Sequence, residues 1–291
     1  MAIWNLGSIN ADLVYSVPHL PARGETLAAL THERFLGGKG TNMSVAAARA
    51  AAHVRHIGAV GSDGAWAVER LMEYGVDTRH IARIDQPTGH AIVVVEPGGE
   101  NQIVIYPGAN RAIPEAVLQA ALAEAGAGDT LLIQNETNGQ PMAAQIGHDL
   151  GLRVCYAAAP FDAEAVRRVL PWLDFLILNA VEAEQLEAEI GIAPEGLPVR
   201  DVIVTLGARG ARHFDTVSGD IRDYSAFPVT PVDTTGAGDT FTGYVLAGLD
   251  RGMAMPQAIA QATRAAAIMV TRRGTADVIP DLKDVQGAAP K

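Results

Sequence analysis

Short apolar runs rich in β-branched residues alternate along the chain with alanine-rich runs of helical period. The apolar runs predict buried strands at 3–9, 54–60, 130–134, 153–157, 175–178 and 202–206. The alanine-rich runs predict helices at 41–52, 65–74, 240–250 and 255–271. Strands that alternate with helices in this way favour a mostly parallel sheet covered on both faces, which is a three-layer α/β/α fold.

Two stretches break this alternation. Residues 27–35 are strand-like without a helix beside them, and residues 91–106 place two β-branched runs around a Pro-Gly-Gly turn. Neither stretch has room for a crossover helix, so we predict a small second sheet that covers a site as a β lid. The predicted α/β core comprises residues 1–9, 37–88 and 108–291, and the predicted lid comprises residues 10–36 and 89–107.

Composition narrows the class of protein. The 291 residues are 48% hydrophobic and include a single cysteine, Cys155, which excludes a disordered chain and a disulfide scaffold. No apolar run is long enough to span a bilayer, and the first residues lack the features of a signal peptide. We therefore expect a cytoplasmic enzyme that does not bind membranes.

The charge is strongly acidic. The 22 basic and 33 acidic residues give a net charge of −11, which disfavours nucleic acid and anionic membranes as partners. Lys39 is the one lysine in the interior of the chain, because the other two, Lys283 and Lys291, lie among the last nine residues. Its position between glycines makes Lys39 a candidate for a specific role.

The segment 232–241, with the sequence VDTTGAGDTF, leads from two glycines directly into a predicted helix. The backbone N–H groups of Gly236, Ala237 and Gly238 would face an anion at the positive end of that helix. Asp239 would lie at the same place, where a carboxylate can take a proton from an attacking hydroxyl. The alternative is that Asp239 is an ordinary N-cap of the helix.

Two further segments place polar groups where strands end or helices begin. The segment GGKGTN has glycines that permit close approach of a ligand, and Lys39 and Asn42 supply hydrogen-bond donors to it. Asn10 and Asp12 follow the first strand, at the end of the sheet where open α/β folds bind ligands. The alternatives are a loop cap for the first segment and an Asx turn for the second.

Two later segments suit a nucleotide and its metal ion. Asn179 and Glu182 follow a predicted strand and lie three residues apart on one helical face, which suits Mg²⁺-bound water. Thr205, Gly207 and Gly210 form a glycine-containing turn at a strand end that is open enough to admit a nucleotide.

In this order, the five segments resemble the ribokinase-like (PfkB) family of sugar and nucleoside kinases over nearly the whole chain, and VDTTGAGDTF and GGKGTN are the most specific pieces. Within the family the sequence looks most similar to the ribokinases. The resemblance implies that the sugar hydroxyls are held by Asn10, Asp12, Gly38, Lys39, Asn42 and Glu136. It also implies that Asp239 is the general base on the sugar and that the amides of residues 236–238 form an anion hole. Nucleotide and Mg²⁺ contacts are implied for Asn179, Glu182, Thr205, Gly207, Gly210 and Gly238.

The resemblance further implies a monovalent cation, K⁺, beside the anion hole. Its implied ligands are the Asp233 carboxylate and the carbonyl groups of Thr235, Met269 and Gly274. Ribokinases tend to have a serine where this chain has Val278, so K⁺ activation is in question unless water supplies the missing oxygen. A second departure is the short stretch between Gly191 and Val202, where most of an expected helix is missing.

The resemblance implies an ATP-dependent kinase that transfers the γ-phosphoryl group to the 5-hydroxyl of D-ribose. The alternatives are another kinase of the family, acting on a nucleoside, a keto-deoxy sugar acid or another pentose, and a noncatalytic sugar sensor. The sensor is disfavoured because the base, the glycine pair and the magnesium residues are all present. Ribokinases dimerise through their lids, so we also expect a homodimer, for which Ile92, Val94, Ile103 and Ile105 would supply one apolar face unless they pack within the lid itself.

Overall fold

The computed structural model describes residues 1–287, and these fold into two sheets and a set of helices. The strands are β1 Ile3–Leu6, β2 Asn10–Ser16, β3 Thr31–Gly37, β4 Val54–Val60, β5 Asp77–Arg83, β6 Gly89–Val95, β7 Asn101–Tyr106, β8 Thr130–Gln134, β9 Arg153–Ala157, β10 Phe175–Asn179, β11 Asp201–Thr205, β12 Ala211–Asp215 and β13 Asp220–Tyr224. The helices are α1 Lys39–Arg49, α2 Ala65–Glu73, α3 Glu115–Leu122, α4 Gln140–Asp149, α5 Ala163–Val169, α6 Ala180–Ile190, α7 Ala237–Asp250, α8 Met255–Met269 and α9 Leu282–Gly287. Lys291 lies outside the described residues.

The larger sheet has nine strands in the order β13-β12-β11-β10-β9-β8-β1-β4-β5. The seven strands from β11 to β5 are parallel, and β12 and β13 extend the edge as antiparallel strands. Parallel neighbours need crossover connections, and helices between successive strands supply them. The predicted mostly parallel sheet is therefore confirmed.

Two hydrophobic cores lie on opposite faces of this sheet. On β8, Leu132 joins the core that contains α1, α7 and α8, while Leu131 and Ile133 join the core that contains α3, α4, α5 and α6. Successive strand residues point to opposite faces, so one apolar strand serves both cores. The three-layer α/β/α prediction is confirmed.

The smaller sheet has the order β3-β2-β6-β7, with β2 parallel to β6 and the other two pairs antiparallel. We call this sheet the lid. The predicted strand at 27–35 is displaced, since β3 runs from Thr31 to Gly37, and β1 already ends at Leu6. Asn10 and Asp12 lie within β2 rather than in an Asx turn, so that alternative is wrong.

The register of the lid corrects one further expectation. Ile92 pairs with Val104, whereas Val93 pairs with Ile103. Because paired residues share a face of a sheet, Ile92 and Ile103 lie on opposite faces, and the four predicted residues do not form one apolar surface. Ile105 pairs with Ala91, which pairs with Asp12, so Ile103 and Ile105 share the face that carries Asn10 and Asp12.

The stretch between α6 and β11, all of which is described, forms a single 3₁₀ turn, Pro194–Gly196. The prediction that most of a helix is missing from this stretch is therefore confirmed. Within residues 1–287, none of the helices combines the length and apolar character that a membrane crossing requires.

Candidate active site

The carboxylate of Asp239 lies buried in the first turn of α7, with 7% of the residue exposed. Gly236, in the left-handed conformation at φ 77°, is the N-cap of this helix, and no side chain caps it. Instead of capping, Asp239 accepts a hydrogen bond at Oδ2 from Asn42 Nδ2 at 2.9 Å. The N-cap alternative for Asp239 is therefore wrong.

The surroundings of Asp239 act on its pKa in opposite directions. Burial raises the pKa of Asp239 above its ordinary value, and the positive charge of Lys39 and the bond from Asn42 oppose that rise. In turn, the charge of Asp239 is the main cause that raises the pKa of Lys39. The two side chains therefore stabilise each other's ionised forms.

Backbone donors surround the start of α7. The N–H groups of Gly236, Gly238 and Asp239 have no hydrogen-bond partner among the described residues, while that of Ala237 donates to the Thr234 carbonyl at 3.2 Å. Free N–H groups at a helix N-terminus attract anions. Two of the three predicted anion-hole amides are thus available, and the third would have to exchange its partner.

The glycine segment before α1 is held close to the end of β1. Gly38, at φ 97°, is the N-cap of α1, and Lys39 is its first residue. A Cβ at Gly40 would lie 2.3 Å from the Cα of Gly7, so the two backbones touch only because both residues are glycine. This contact brings Lys39 and Asn42 to the end of β1 from which the chain runs into β2, the strand that carries Asn10 and Asp12.

Glu136 joins these segments through one oxygen. Its Oε2 accepts the backbone N–H of Lys39 at 2.9 Å and the hydroxyl of Ser8. Glu136 also raises the pKa of Asp12, and Asn10 lies two residues from Asp12 on the same strand. A Cβ at Gly38 would lie 3.2 Å from Asn10 N, so the six residues expected to bind sugar lie around one place.

Asp12 has an unusual environment. Its carboxylate lies against Gly37 of the neighbouring strand, where a Cβ would come within 2.0 Å of Oδ2. Burial, and then the negative charge of Glu136, raise the pKa of Asp12 to about 7. Gly37 is thus required for the approach of this side chain, a role that the sequence reasoning missed.

A second missed residue is Asn110, in the 3₁₀ turn Gly108–Arg111 that follows the lid. Its Nδ2 donates to Asn10 Oδ1 at 2.7 Å, and its Oδ1 accepts the N–H of Ile9 at 2.8 Å. The sequence carries only a faint signal for it, an asparagine four residues after the end of the predicted hairpin.

A buried polar network lies beneath the glycine segment and was also missed. Asn5 Nδ2 donates to the Gly40 carbonyl at 2.7 Å and to Ser44 Oγ at 2.8 Å, and Ser44 Oγ lies 2.9 Å from His56 Nδ1. Since Ser44 accepts from Asn5, its own hydrogen points to His56, whose Nε2–H then donates to the Gly7 carbonyl at 3.0 Å. Burial lowers the pKa of His56 to about 4, so the ring is neutral.

A cavity of about 400 Å³ lies on the other side of the α7 N-terminus. Its lining includes Thr205, Gly207, Gly210 and Gly238, all expected at a nucleotide site, together with Phe227. Most of the remaining lining is apolar, which suits a flat heterocyclic base. The cavity therefore links the predicted nucleotide residues to the helix end that carries Asp239.

Asn179 and Glu182 form a capping box at the start of α6. Glu182 Oε2 accepts the N–H of Asn179 at 2.7 Å, and Asn179 Oδ1 accepts the N–H of Glu182 at 2.9 Å. Burial raises the pKa of Glu182, while the charge of Lys39 lowers it. One Glu182 oxygen remains without a partner in the described part of the chain, and Glu182 stays in electrostatic range of Lys39 and Asp239.

The residues expected to hold a monovalent cation come together beside α7. Asp233 accepts the N–H of Thr235 at Oδ1, at 2.9 Å, and the N–H of Gly274 at Oδ2, at 3.2 Å. The Met269 carbonyl accepts the N–H of Arg272 at 2.9 Å. A Cβ at Gly274 would lie 3.4 Å from a methyl group of Val278, so the side next to Gly274 is apolar. Separately, residues 1–287 contain no group of three or more His, Cys, Asp or Glu side chains arranged to hold a metal ion.

Known proteins are similar to this chain in sequence and in fold. The pfkB family carbohydrate kinase model matches residues 3–282. The ribokinase of Haemophilus influenzae is 38% identical, over 94% of each chain. The crystal structure of ribokinase from Thermotoga maritima is similar to this fold, with a TM-score of 0.87 and 30% sequence identity. The structure of Arabidopsis thaliana ribokinase complexed with ribose and ATP is also similar, with a TM-score of 0.86 and 28% identity. Both structures cover 98% of each chain, so the similarity includes the lid as well as the large sheet.

Proposed function

This chain belongs to the pfkB family of carbohydrate kinases, and we propose that within it the protein transfers the γ-phosphoryl group of ATP to the 5-hydroxyl of D-ribose. It is a phosphotransferase with an alcohol group as acceptor. The observation that carries the proposal is the buried Asp239, held by Asn42 beside the free N–H groups of Gly236 and Gly238. A hydroxyl bound there meets a base and an anion-binding helix end together.

The reaction requires the 5-hydroxyl oxygen to bond to the γ-phosphorus while the bond to the β-phosphate oxygen of ATP breaks. Asp239 takes the hydroxyl proton on the carboxylate oxygen that Asn42 leaves free. The Gly236 and Gly238 N–H groups donate to the phosphoryl oxygens, where negative charge is concentrated. Positioning and charge stabilisation are the main contributions that phosphoryl transfer needs from a protein.

The sugar is oriented by the polar groups on both sides of the cleft between the lid and the large sheet. The lid contributes Asn10 and Asp12, and the core contributes Lys39, Asn42 and Glu136, while Gly38 allows the backbone to approach the ligand. These groups include both donors and acceptors, which suits a small polyhydroxylated molecule.

ATP occupies the cavity lined by Thr205, Gly207 and Gly210, with its phosphates towards Gly238. Glu182 and Asn179 would hold Mg²⁺ through water beside the phosphates, because Mg²⁺ usually binds one or two carboxylates and keeps several waters. The residues fit this role, since one Glu182 oxygen has no partner in the described chain. The ion neutralises phosphate charge when it is bound.

K⁺ would be held by Asp233 together with the carbonyl groups of Thr235, Met269 and Gly274. The fit is incomplete, because Asp233 already accepts two N–H groups and Val278 supplies no oxygen. We therefore propose a weak monovalent cation site.

The protein would act as a cytoplasmic homodimer. Apolar side chains exposed on both faces of the lid support association, among them Ile103 and Ile105 on the face of Asp12, and Ile92 and Val104 on the other. Light scattering of the purified protein, before and after Ile105→Lys, tests the dimer.

A substrate panel with ATP tests the activity. We expect turnover of D-ribose to exceed that of deoxyribose, other pentoses, keto-deoxy sugar acids and nucleosides, each measured by ADP release. Robust turnover of a nucleoside with none of ribose would contradict the proposal and select that alternative. Sugar binding without turnover of any compound would indicate a sensor.

A further inference from the structure

Asn110 lies where the chain passes between the large sheet and the lid. The chain first enters the lid at residues 7–10, and after its second passage through the lid it returns to the core through Gly108–Arg111. The side chain of Asn110, with 1% of the residue exposed, joins these two segments. Its Oδ1 accepts the Ile9 N–H at 2.8 Å, and its Nδ2 donates to the Ile9 carbonyl at 3.3 Å and to Asn10 Oδ1 at 2.7 Å.

These partners fix the orientation of both amide groups. The Ile9 N–H can only donate, so the atom of Asn110 that faces it is the oxygen, and Asn110 Nδ2 faces Asn10. The atom of Asn10 that meets this NH₂ group must then be its own oxygen. The NH₂ group of Asn10 is left without a partner among residues 1–287, although Asn10 is only 7% exposed.

The two amides meet directly over the backbone of Gly89. A Cβ at Gly89 would lie 2.1 Å from Asn110 Nδ2 and 2.5 Å from Asn10 Oδ1. Gly89 pairs with Asn10 across β2 and β6, so the absence of a side chain there lets the two amides meet.

We propose that Asn110 is a positioning residue that holds Asn10 as a hydrogen-bond donor to the sugar, an inference that rests on the proposed function. Asp12, two residues along β2 on the same face, is an acceptor when ionised. The lid therefore presents a donor, Asn10, beside an acceptor, Asp12. Asn110 fixes the orientation of the Asn10 amide without touching the substrate itself.

The test compares Asn110→Asp with Asn138→Asp. Asn138 is a matched control because its amide makes the same kind of backbone pair, accepting the Ile113 N–H at 2.9 Å and donating to the Ile113 carbonyl at 2.9 Å. Asn110→Asp replaces the donor to Asn10 by an acceptor. The Asn10 amide then flips, so that its NH₂ group faces residue 110 and its oxygen faces the sugar. Asn110→Leu and Asn138→Leu form a second pair in which no carboxyl group can take up a proton.

Ribose dissociation constants are measured by calorimetry at pH 8, together with the KM for ATP at saturating sugar and the Tm. We expect both Asn110 variants to weaken ribose binding about 10- to 100-fold and to leave the KM for ATP within about twofold. The Asn138 variants are expected to keep ribose affinity within about twofold despite a comparable fall in Tm. Wild-type ribose affinity in folded Asn110 variants, or an equal loss in the Asn138 variants, would overturn the proposal.

A readout without sugar separates this inference from the proposed function. The Asn10 side-chain NH₂ signal, assigned by its loss in Asn10→Asp, should exchange rapidly with water in the wild type. In Asn110→Asp it should exchange more slowly, because the group now donates to the new carboxylate. If the wild-type protein binds no sugar, the proposed function fails, and the difference in exchange rate alone decides whether Asn110 orients the Asn10 amide. Equal exchange rates in the wild type and Asn110→Asp overturn the inference.

Discussion

Asn42 donates to the carboxylate of Asp239 at 2.9 Å across 197 residues of sequence, and thereby joins α1 to the first turn of α7. The bond fixes one carboxylate oxygen and leaves the other without a partner among the described residues. Asn42 Oδ1 is itself buried without a partner in that part of the chain. Asn42 Oδ1 and the second oxygen of Asp239 can therefore both accept hydrogen bonds from the hydroxyl groups of a ligand.

The first prediction concerns Asp239 as the base. Asp239→Asn keeps the shape of the side chain but removes the proton acceptor, so kcat should fall by two to four orders of magnitude, roughly the contribution of a general base. Ribose affinity should change little. Asp250→Asn, at the other end of α7, is the control and should keep kcat within about twofold. A kcat for Asp239→Asn within tenfold of the wild type would exclude Asp239 as the base.

The second prediction concerns the charge of Lys39. Burial raises the pKa of Asp239 and Lys39 lowers it, so removal of the lysine charge should raise that pKa further. The base acts when ionised, so kcat rises with pH as Asp239 loses its proton. In Lys39→Met this rise should move to higher pH, as measured from kcat at saturating substrates. Lys283→Met makes the same change of net charge at an exposed position and should leave the profile in place; equal shifts in both variants would contradict the prediction.

The third prediction concerns the carboxyl of Asp12, whose pKa is raised to about 7. Its ¹³C NMR signal should titrate with a midpoint near 7 in the sugar-free protein. Because Glu136 contributes to the rise, Glu136→Gln should lower the midpoint, whereas Glu184→Gln on the exposed side of α6 should not. Ribose affinity should decline as pH falls through 7, because protonation removes an acceptor. A midpoint below 5 would contradict this assignment.

Local patterns in the sequence predicted the fold well. The strands at 54–60, 130–134 and 153–157 coincide with β4, β8 and β9, because a strand buried in a parallel sheet is mostly apolar and is bounded by turns. The glycine segments before α1 and α7 were recognisable for a similar reason. Close backbone approach and a positive φ leave glycine as the suitable residue, and both requirements are local.

Relations between distant segments could not be predicted in the same way. The face on which Ile92 lies depends on the register of β6 with β7, and a shift of one residue exchanges the two faces. The pairing of Asn110 with Asn10 joins residues 100 positions apart, and nothing in either local sequence requires it. Residue roles in the site therefore remain predictions even where the fold is confirmed.

The fourth prediction concerns the stability contributed by the neutral ring of His56. Its pKa is about 4 in the folded protein and near 6.5 in an unfolded chain, so the unfolded state takes up a proton first as the pH falls. Stability present above pH 6.5 should be lost progressively down to pH 4, by roughly 3 kcal/mol. Urea unfolding at pH 7, 5.5 and 4.5 measures it. His56→Gln should be less stable at pH 7 and should lose less of its free energy of unfolding on acidification. The exposed control His53→Gln should behave as the wild type. Parallel curves of unfolding free energy against pH for His56→Gln and the wild type would refute the prediction.

The last prediction concerns Val278 and the monovalent cation. Asp233 is the one charged group among the proposed ligands, its two oxygens already accept N–H groups, and Val278 presents methyl groups next to Gly274. K⁺ should therefore raise the Tm of the wild type little more than Na⁺ does, because a bound ligand stabilises a fold by RT ln(1 + [L]/Kd), which is small at a weak site. Val278→Ser adds a hydroxyl oxygen at this place and should give a larger, K⁺-specific rise in both Tm and kcat. Val278→Ala is the control, since it makes space without adding an oxygen. A strong K⁺-specific rise in Tm for the wild type would mean that water or another backbone oxygen completes the site.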